Sequence, residues 1–400
     1  MRAEPAGREP RPTPRRPAGP ACAAAPARPP SAPMSDPEAD RLDGAPHPRE
    51  TVTLYGQHAA EAQVLATLAT GRPPHAWMLT GPRGVGKATL AWRIARHMLA
   101  GGAGGALGMD AADPVFRQTA ALASPRLFLA RRPWDDKAKR LKTAITVDEI
   151  RALKSFFQLS AADAGWRTAI VDAADELTPQ AANALLKTLE EPPARSMLLL
   201  VCHQPARLLP TIRSRCRELR CAALAGPDFA AALADALADA GVEAPDDPAL
   251  VEALAAGSVG EALRLVAAGG AALYAEIAAV LAEAPGLDRR RAIAVAESCA
   301  GRGAEARYDA ALGLTRLLLA RLARNAAGAS VTPLTDPEAR ALARLGAIPA
   351  QARLWAALLP RLAARADHAR AVHLDPAQVI LDMFLQIDAA AVEARAYSAS

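Results

Sequence analysis

Four hundred residues exceed one ordinary domain and fit two or three. The chain is 51% apolar but only 4% aromatic, so Ala and Leu carry the packing; that favours close helices and argues against a β-sandwich. The net charge of +5 is concentrated in the first 33 residues, and no run of about 18 uncharged apolar residues offers a membrane-spanning helix or a membrane partner.

Those first 33 residues hold six Arg, two Glu and ten of the 33 prolines. Such a segment cannot bury a core and is expected to be disordered, as part of an N-terminal extension over 1–49. It lacks the apolar stretch of a secretion signal. Met34 is an alternative start, and a basic arm for nucleic acid is a second reading of the same residues. The rest of the chain is nearly neutral and has no strong basic signature of its own. The five cysteines (Cys22, Cys202, Cys216, Cys221 and Cys299) form no CxxC pair and read as reduced thiols of a cytoplasmic protein.

From residue 55 to about 222, apolar runs alternate with helical patterns. Strands are expected at Ala76–Thr80, Arg126–Ala130, Thr168–Asp172, Met197–Cys202 and Arg217–Arg220, with helices near 56–70, 86–99, 146–159 and 178–191. This alternation predicts a parallel sheet with helical crossovers. Thr178 followed by Pro179 supplies an N-cap and a first-turn proline, and Pro192 with Pro193 stops that helix. The Gly/Ala-rich stretch 101–113 reads as a mobile surface loop. Beyond 222 strand signals vanish. Leu314, Leu318 and Leu322 fall four apart, Trp355, Leu358, Leu359 and Leu362 make a second stripe, and Asp375–Gln378 opens a last helix. These stripes are expected to pack core or subunit faces.

Three motifs carry chemistry. Gly81–Ala88, GPRGVGKA, has every element of a phosphate-binding loop except the last. Gly81, Gly84 and Gly86 supply the turn, its N–H groups form an anion nest at a helix N-terminus, and Lys87 is placed to reach the β- and γ-phosphates. Ala88 stands where Ser or Thr would hold Mg²⁺. A glycine-rich turn with no ligand remains the plainer alternative. Ala169–Asp172 is an apolar strand ending in an acid that could hold the metal, followed by Ala173 where a water-activating Glu is usual. Ser214-Arg215-Cys216 closes a short helical stretch; alone, Arg215 is equally a solvated charge or a helix-dipole partner.

Residues 168–216 resemble the AAA+ core of the clamp-loader subunits of bacterial DNA polymerase III. NALLKTLEEPP (Asn183–Pro193) and Ser214-Arg215-Cys216 carry the resemblance, supported by Tyr55-Gly56-Gln57, His75-Ala76-Trp77 and Ile145–Arg151. It covers residues 50–222 well and 223–390 weakly. It implies α/β plus all-α architecture: an AAA+ P-loop-like domain over 50–222, a small helical lid over 223–271, a helical oligomerising collar over 272–390, and a tail over 391–400. Within that family, Ala88, Ala173 and Gly260 replace hydrolytic groups, Gly260 standing where ATPase relatives carry a sensor arginine. These departures favour the non-hydrolysing delta-prime group over the gamma/tau ATPases. A weak ATPase of the same loader, or another AAA+ protein of DNA metabolism, are the alternatives.

The resemblance further implies that Arg215 is an arginine finger acting on a neighbour's ATP, and that the subunit is itself non-catalytic within a nucleotidyltransferase holoenzyme. The implied partners are gamma/tau, delta, the sliding clamp indirectly, and primed DNA. No cofactor is required on this reading, although ATP at the degenerate loop (Gly81, Gly84, Gly86, Lys87, with Asp172) stays open. Relatives often carry a four-cysteine zinc module before the second strand; residues 100–125 contain no Cys, so no zinc is expected.

Overall fold

The computed structural model describes Met1 and residues 38–42, 45–102, 104–158 and 165–396. The expectations for residues 2–37, including a start at Met34, lie outside the described residues, as does the end of the tail.

In chain order, α1 (His58–Ala69) precedes β1 (Ala76–Thr80), and the Gly-rich loop leads into α2 (Lys87–Leu99). Then come α3 (Pro114–Ala120), β2 (Leu127–Arg131), a two-stranded hairpin of β3 (Trp134–Asp135) and β4 (Arg140–Leu141), and α4 (Val147–Gln158). The sheet region ends with β5 (Arg167–Asp172), α5 (Pro179–Glu190), β6 (Ser196–Val201), α6 (Pro210–Arg213) and β7 (Arg217–Arg220). Only helices follow: α7 (Gly226–Ala240), α8 (Pro248–Ala255), α9 (Val259–Ala267), α10 (Gly270–Ala282), α11 (Arg289–Ser298), α12 (Glu305–Ala326), α13 (Asp336–Leu345), α14 (Pro349–Ala371) and α15 (Pro376–Ala396).

The main sheet has the order β2-β5-β6-β1-β7, with every neighbouring pair parallel. β1 and β6 are buried along their whole length, as a parallel sheet covered on both faces requires. Side chains alternate between the faces. Trp77, Leu79, Ile170, Leu199 and Val201 pack on one side with Leu90, Ile94 and Met98 of α2. Met78, Ala169, Val171, Leu198 and Leu200 pack on the other with Ile150 and Leu153 of α4 and Leu185 of α5. Thr178 caps α5, its hydroxyl accepting from Ala181 N at 3.2 Å. In the helical region Leu314, Leu318 and Leu322 of α12 and Trp355, Leu358 and Leu362 of α14 are buried, and Trp355 Nε1 donates to Leu345 O at 2.7 Å.

One expectation needs correction. The described part of the N-terminal extension, Glu38–Leu42 and Ala45–Arg49, packs on the body. Arg49 Nη1 donates to Glu38 Oε1 at 2.7 Å, Arg131 pairs with both Glu38 and Asp40, and buried His47 Nε2 lies 3.2 Å from Asp40 Oδ2. Interlocked charges order a strap within the extension that is expected from composition to be disordered over 1–49. In the loop 101–113 Leu107 is buried in the core, while most of the other described residues are exposed as expected of a surface loop. Among the described residues no single helix is long and apolar enough to cross a membrane.

Candidate functional site: a self-closed phosphate loop and an exposed arginine

The Gly-rich loop leaves the C-terminal end of β1 and enters α2, with Gly86 as the N-cap residue. Gly81 takes φ 137, and a Cβ there would lie 2.2 Å from Cys221 O, so only glycine lets the loop pass β7. Gly84, at φ 79, faces the lid: a Cβ would lie 2.5 Å from Ser258 Oγ and 2.9 Å from Gly260 Cα.

Lys87 is buried, and its amine is turned back into its own loop. Nζ donates to Gly81 O at 2.8 Å and to Pro82 O. Burial lowers its pKa to about 8, against the opposing pull of Cys221, Asp172 and Asp175. Asp172 ends β5 close enough to Lys87 to feel its charge. Burial pushes the Asp172 carboxyl up to about 7, Asp40 adds to the rise, and Lys87 and Arg83 oppose it. Asp175 ties down the turn after β6 by accepting from His203 N at 2.9 Å and Gln204 N at 3.1 Å. Burial and the nearby Lys87 hold His203 down at about 4, so it is neutral at pH 7. Ala88 and Ala173 place methyl groups where a metal-holding hydroxyl and a base would stand.

The start of α9 closes on this loop through one side-chain and one main-chain hydrogen bond. Ser258 Oγ donates to Arg83 O at 2.7 Å and also caps α9 by accepting from Glu261 N at 3.1 Å. Gly260 N donates to Gly84 O at 3.1 Å. A side chain at position 260 would press on Gly84, since its Cβ would lie 2.9 Å from Gly84 Cα. Beside the closed loop is a cavity of about 520 Å³, whose lining includes Leu42, Leu54, Lys87, Asp172, Ala236 and Arg264. The strap shapes its outer wall. Burial works to raise the Asp40 pKa, but His47 and Arg131 more than reverse it and hold the carboxylate below its usual range.

These groups do not fit a hydrolysable metal–nucleotide complex. The lysine that would meet phosphate is bonded to two main-chain oxygens, and Ala88 and Ala173 supply no hydroxyl and no base at their own positions. Among the described residues no three His, Cys, Asp or Glu side chains gather as metal ligands.

Arg215 stands elsewhere, after α6. Its side chain is 37% exposed, with Nη2 3.0 Å from Glu190 Oε1 and Nη1 donating to Thr211 O at 3.0 Å. Both partners belong to α5 and α6, not to the loop. Glu190 lies within Asn183–Pro193, so the two most specific sequence motifs meet in one ion pair. Burial pushes the neighbouring Cys216 thiol up to about 12, which leaves it inert.

The structure thus brings Gly81, Gly84, Gly86, Lys87 and Asp172 together and sets Arg215 apart. Sequence reasoning missed Ser258, which holds lid and loop at once; Glu261 three residues on is the capping signal that could have marked it. It also gave no role to the Gln57 side chain, whose Nε2 donates to Val85 O at 3.0 Å and Ala222 O at 2.8 Å while Oε1 accepts from Ala222 N at 3.1 Å.

A parallel sheet of this order, with a phosphate loop after β1 and helices beyond β7, defines a AAA+ protein. Within that class, residues 56–225 match the family model described as DNA polymerase III, delta subunit, and the chain is delta-prime-like over this region. A DNA polymerase III subunit delta' of Pseudomonas aeruginosa is 37% identical over 193 residues, 48% of this chain and 55% of that one. The subunit delta' of Yersinia pestis is 35% identical over 162 residues, 40% and 45% of the two chains. A subunit gamma/tau of Mycobacterium bovis is 30% identical over 170 residues, 42% of this chain and 28% of that one. The chain spans about half the length of the delta' relatives it matches. Among solved structures, a gamma subunit-related protein of Thermotoga maritima is 15% identical over 81% of this chain and 98% of that one, at a TM-score of 0.34 that adds nothing to the strand order.

Proposed function

We propose that this chain is the delta-prime subunit of a DNA polymerase III clamp loader, acting as a stator beside the gamma/tau ATPase and delta subunits. The observation that carries this reading is the contrast between two cations: Lys87 is closed into its own loop under the lid, whereas Arg215 is exposed at the end of α6. The chain's own hydrolytic groups are replaced, so its useful charge is the one that faces outward. In the assembled ring Arg215 exchanges Glu190 for phosphate oxygens of a neighbour's ATP, a task that suits a planar guanidinium with several donors. ATP binding by the neighbours then tightens the ring to open the sliding clamp around primed DNA, and hydrolysis releases the clamp.

Reconstitution with gamma/tau and delta tests this. Arg215→Ala should leave assembly intact and slow hydrolysis at the site it faces by about 10³-fold or more, as loss of such a finger does elsewhere. DNA-stimulated turnover of the whole assembly then drops sharply. Unchanged turnover removes the finger role. Failure to assemble with these subunits removes the clamp-loader reading, and robust ATPase activity of the isolated chain makes it a weak ATPase instead.

A further inference from the structure

The hairpin β3–β4 takes part in neither the phosphate loop nor the Arg215 surface. It leaves the C-terminal end of β2, the edge strand of the sheet, on the side where the phosphate loop follows β1. Its base is pinned from two directions. Arg131 pairs with Asp40 and Glu38, and Arg132 Nε lies 2.8 Å from Glu176 Oε2. Lys142 N donates to Pro133 O at 2.9 Å. Asp135 closes the turn, its Oδ1 accepting from Lys137 N and Ala138 N, both at 3.0 Å.

The register pairs Trp134 with Leu141 and Asp135 with Arg140. Trp134 and Leu141 therefore share one face and are partly buried, while Arg140 and Lys142, two residues apart, share the other and are exposed. Lys137 and Lys139 extend the exposed charge through the turn. Among the described residues none of these four cations forms a close ion pair; the nearby counter-charges are Asp135, which feels Arg140 and Lys142, Glu149, which feels Lys142, and exposed Asp136. Lys139 sits at φ 50, a conformation that glycine adopts with less strain, so this turn carries a charge where its geometry favours none.

We infer that this hairpin is a nucleic-acid backbone contact, with Lys137, Lys139, Arg140 and Lys142 meeting phosphates of the primed DNA that the loader handles. The inference rests on the clamp-loader reading for the presence of DNA. Cations at alternate strand positions stand about 6.6 Å apart, a linear array suited to a row of phosphates. The pinned base presents them without ordering a long loop, and the absence of an exposed aromatic on this face predicts binding without base preference.

The test uses the assembled complex and a labelled primed duplex, with anisotropy followed from about 50 to about 200 mM salt. The variant carries Lys137→Gln, Lys139→Gln, Arg140→Gln and Lys142→Gln together. Expected are affinity about tenfold or more weaker at low salt and a log–log salt slope shallower by about 0.9 for each phosphate that is no longer neutralised. Equal affinity and slope overturn the proposal. Lys139→Gly separates charge from structure: it should melt no lower than the parent and still weaken binding. If neither chain assembles, the clamp-loader reading fails, and the isolated full-length chain on the same duplex at low salt still decides the hairpin. Weaker binding by the variant there supports the contact, and equal binding overturns it. A variant that binds DNA normally but no longer assembles shows that the hairpin meets an acidic protein surface, which also overturns it.

Discussion

Ser258 joins lid to loop with one hydroxyl, and its removal tests whether the phosphate loop is closed in solution. Ser258→Ala deletes an N-cap, about 1 kcal/mol for a typical helix. It also takes the 2.7 Å donor from the Arg83 carbonyl; Arg83 is exposed and water can replace the hydroxyl, so this part is about 0.5–1.5 kcal/mol. The sum is roughly 1.5–2.5 kcal/mol, above the ±0.5 kcal/mol or so of an ordinary surface change. Ser258→Asp divides the two parts: its carboxylate keeps the acceptor for Glu261 N but cannot donate to Arg83 O, so only the second part is lost. Urea unfolding of the full chain gives both values. Amide exchange across Gly81–Leu90 reports the local consequence, faster for both variants. If Ser258→Ala lies within about 0.5 kcal/mol of the parent and exchange in the loop is unchanged, the lid does not sit on the loop and the account of Lys87 as a closed-off group falls with it.

Two further results are expected. Asp172 holds its proton up to about 7 in the folded chain, against 3.8 for the free group. The native state therefore binds the extra proton between those values, and the parent loses stability as pH rises through that window. Asp172→Asn lacks that loss, so its stability relative to the parent should climb between pH 4 and 7 in unfolding titrations; parallel profiles would contradict the buried carboxyl. Gln57→Ala strips three main-chain groups, Val85 O, Ala222 O and Ala222 N, of their partner and should cost about 3 kcal/mol or more in the same assay. A cost below about 1 kcal/mol would mean that water replaces the amide, which the burial of Gln57 argues against.

The sheet was legible because its strands carry strong local signals. β1 and β7 fall on the expected residues, and the others lie within one residue of expectation at each end. Apolar runs of three to six residues bounded by Gly, Pro or charge mark β1, β2, β5 and β6, whereas β7 carries only Leu219 and is placed by its position after the last helix. The helix caps at Thr178 and the start of α15 at Pro376 were readable for the same reason. What escaped depends on distant partners. Ser258 and Arg83 are 175 residues apart, and nothing in either segment announces the other. The strap over Glu38–Arg49 looks like linker by composition, and only the arrival of Arg131 makes its acids a structural element. The β3–β4 hairpin has two residues per strand, too few for any period to show. At the candidate site, the sequence named the residues and their losses; that Lys87 would turn inward and Arg215 would rest on Glu190 required coordinates.

The pairing of Arg215 with Glu190 has a consequence for timing. A guanidinium already neutralised by a half-exposed carboxylate is a guarded charge: it gives up that partner only to an anion that binds it more strongly. A triphosphate carries enough charge to win this competition, whereas a single surface carboxylate on some passing protein merely matches what is already there. Under the finger proposal Glu190 is a light guard, because a pair this exposed contributes about 0–1 kcal/mol. With Thr211 O it holds the arginine in one pose while the subunit is alone, and so little stabilisation is readily given up to an anion of higher charge. Under the same proposal Glu190→Gln would leave the arginine able to act but without its resting carboxylate, so the change would fall on the pose of the free subunit and not on the strength of the finger.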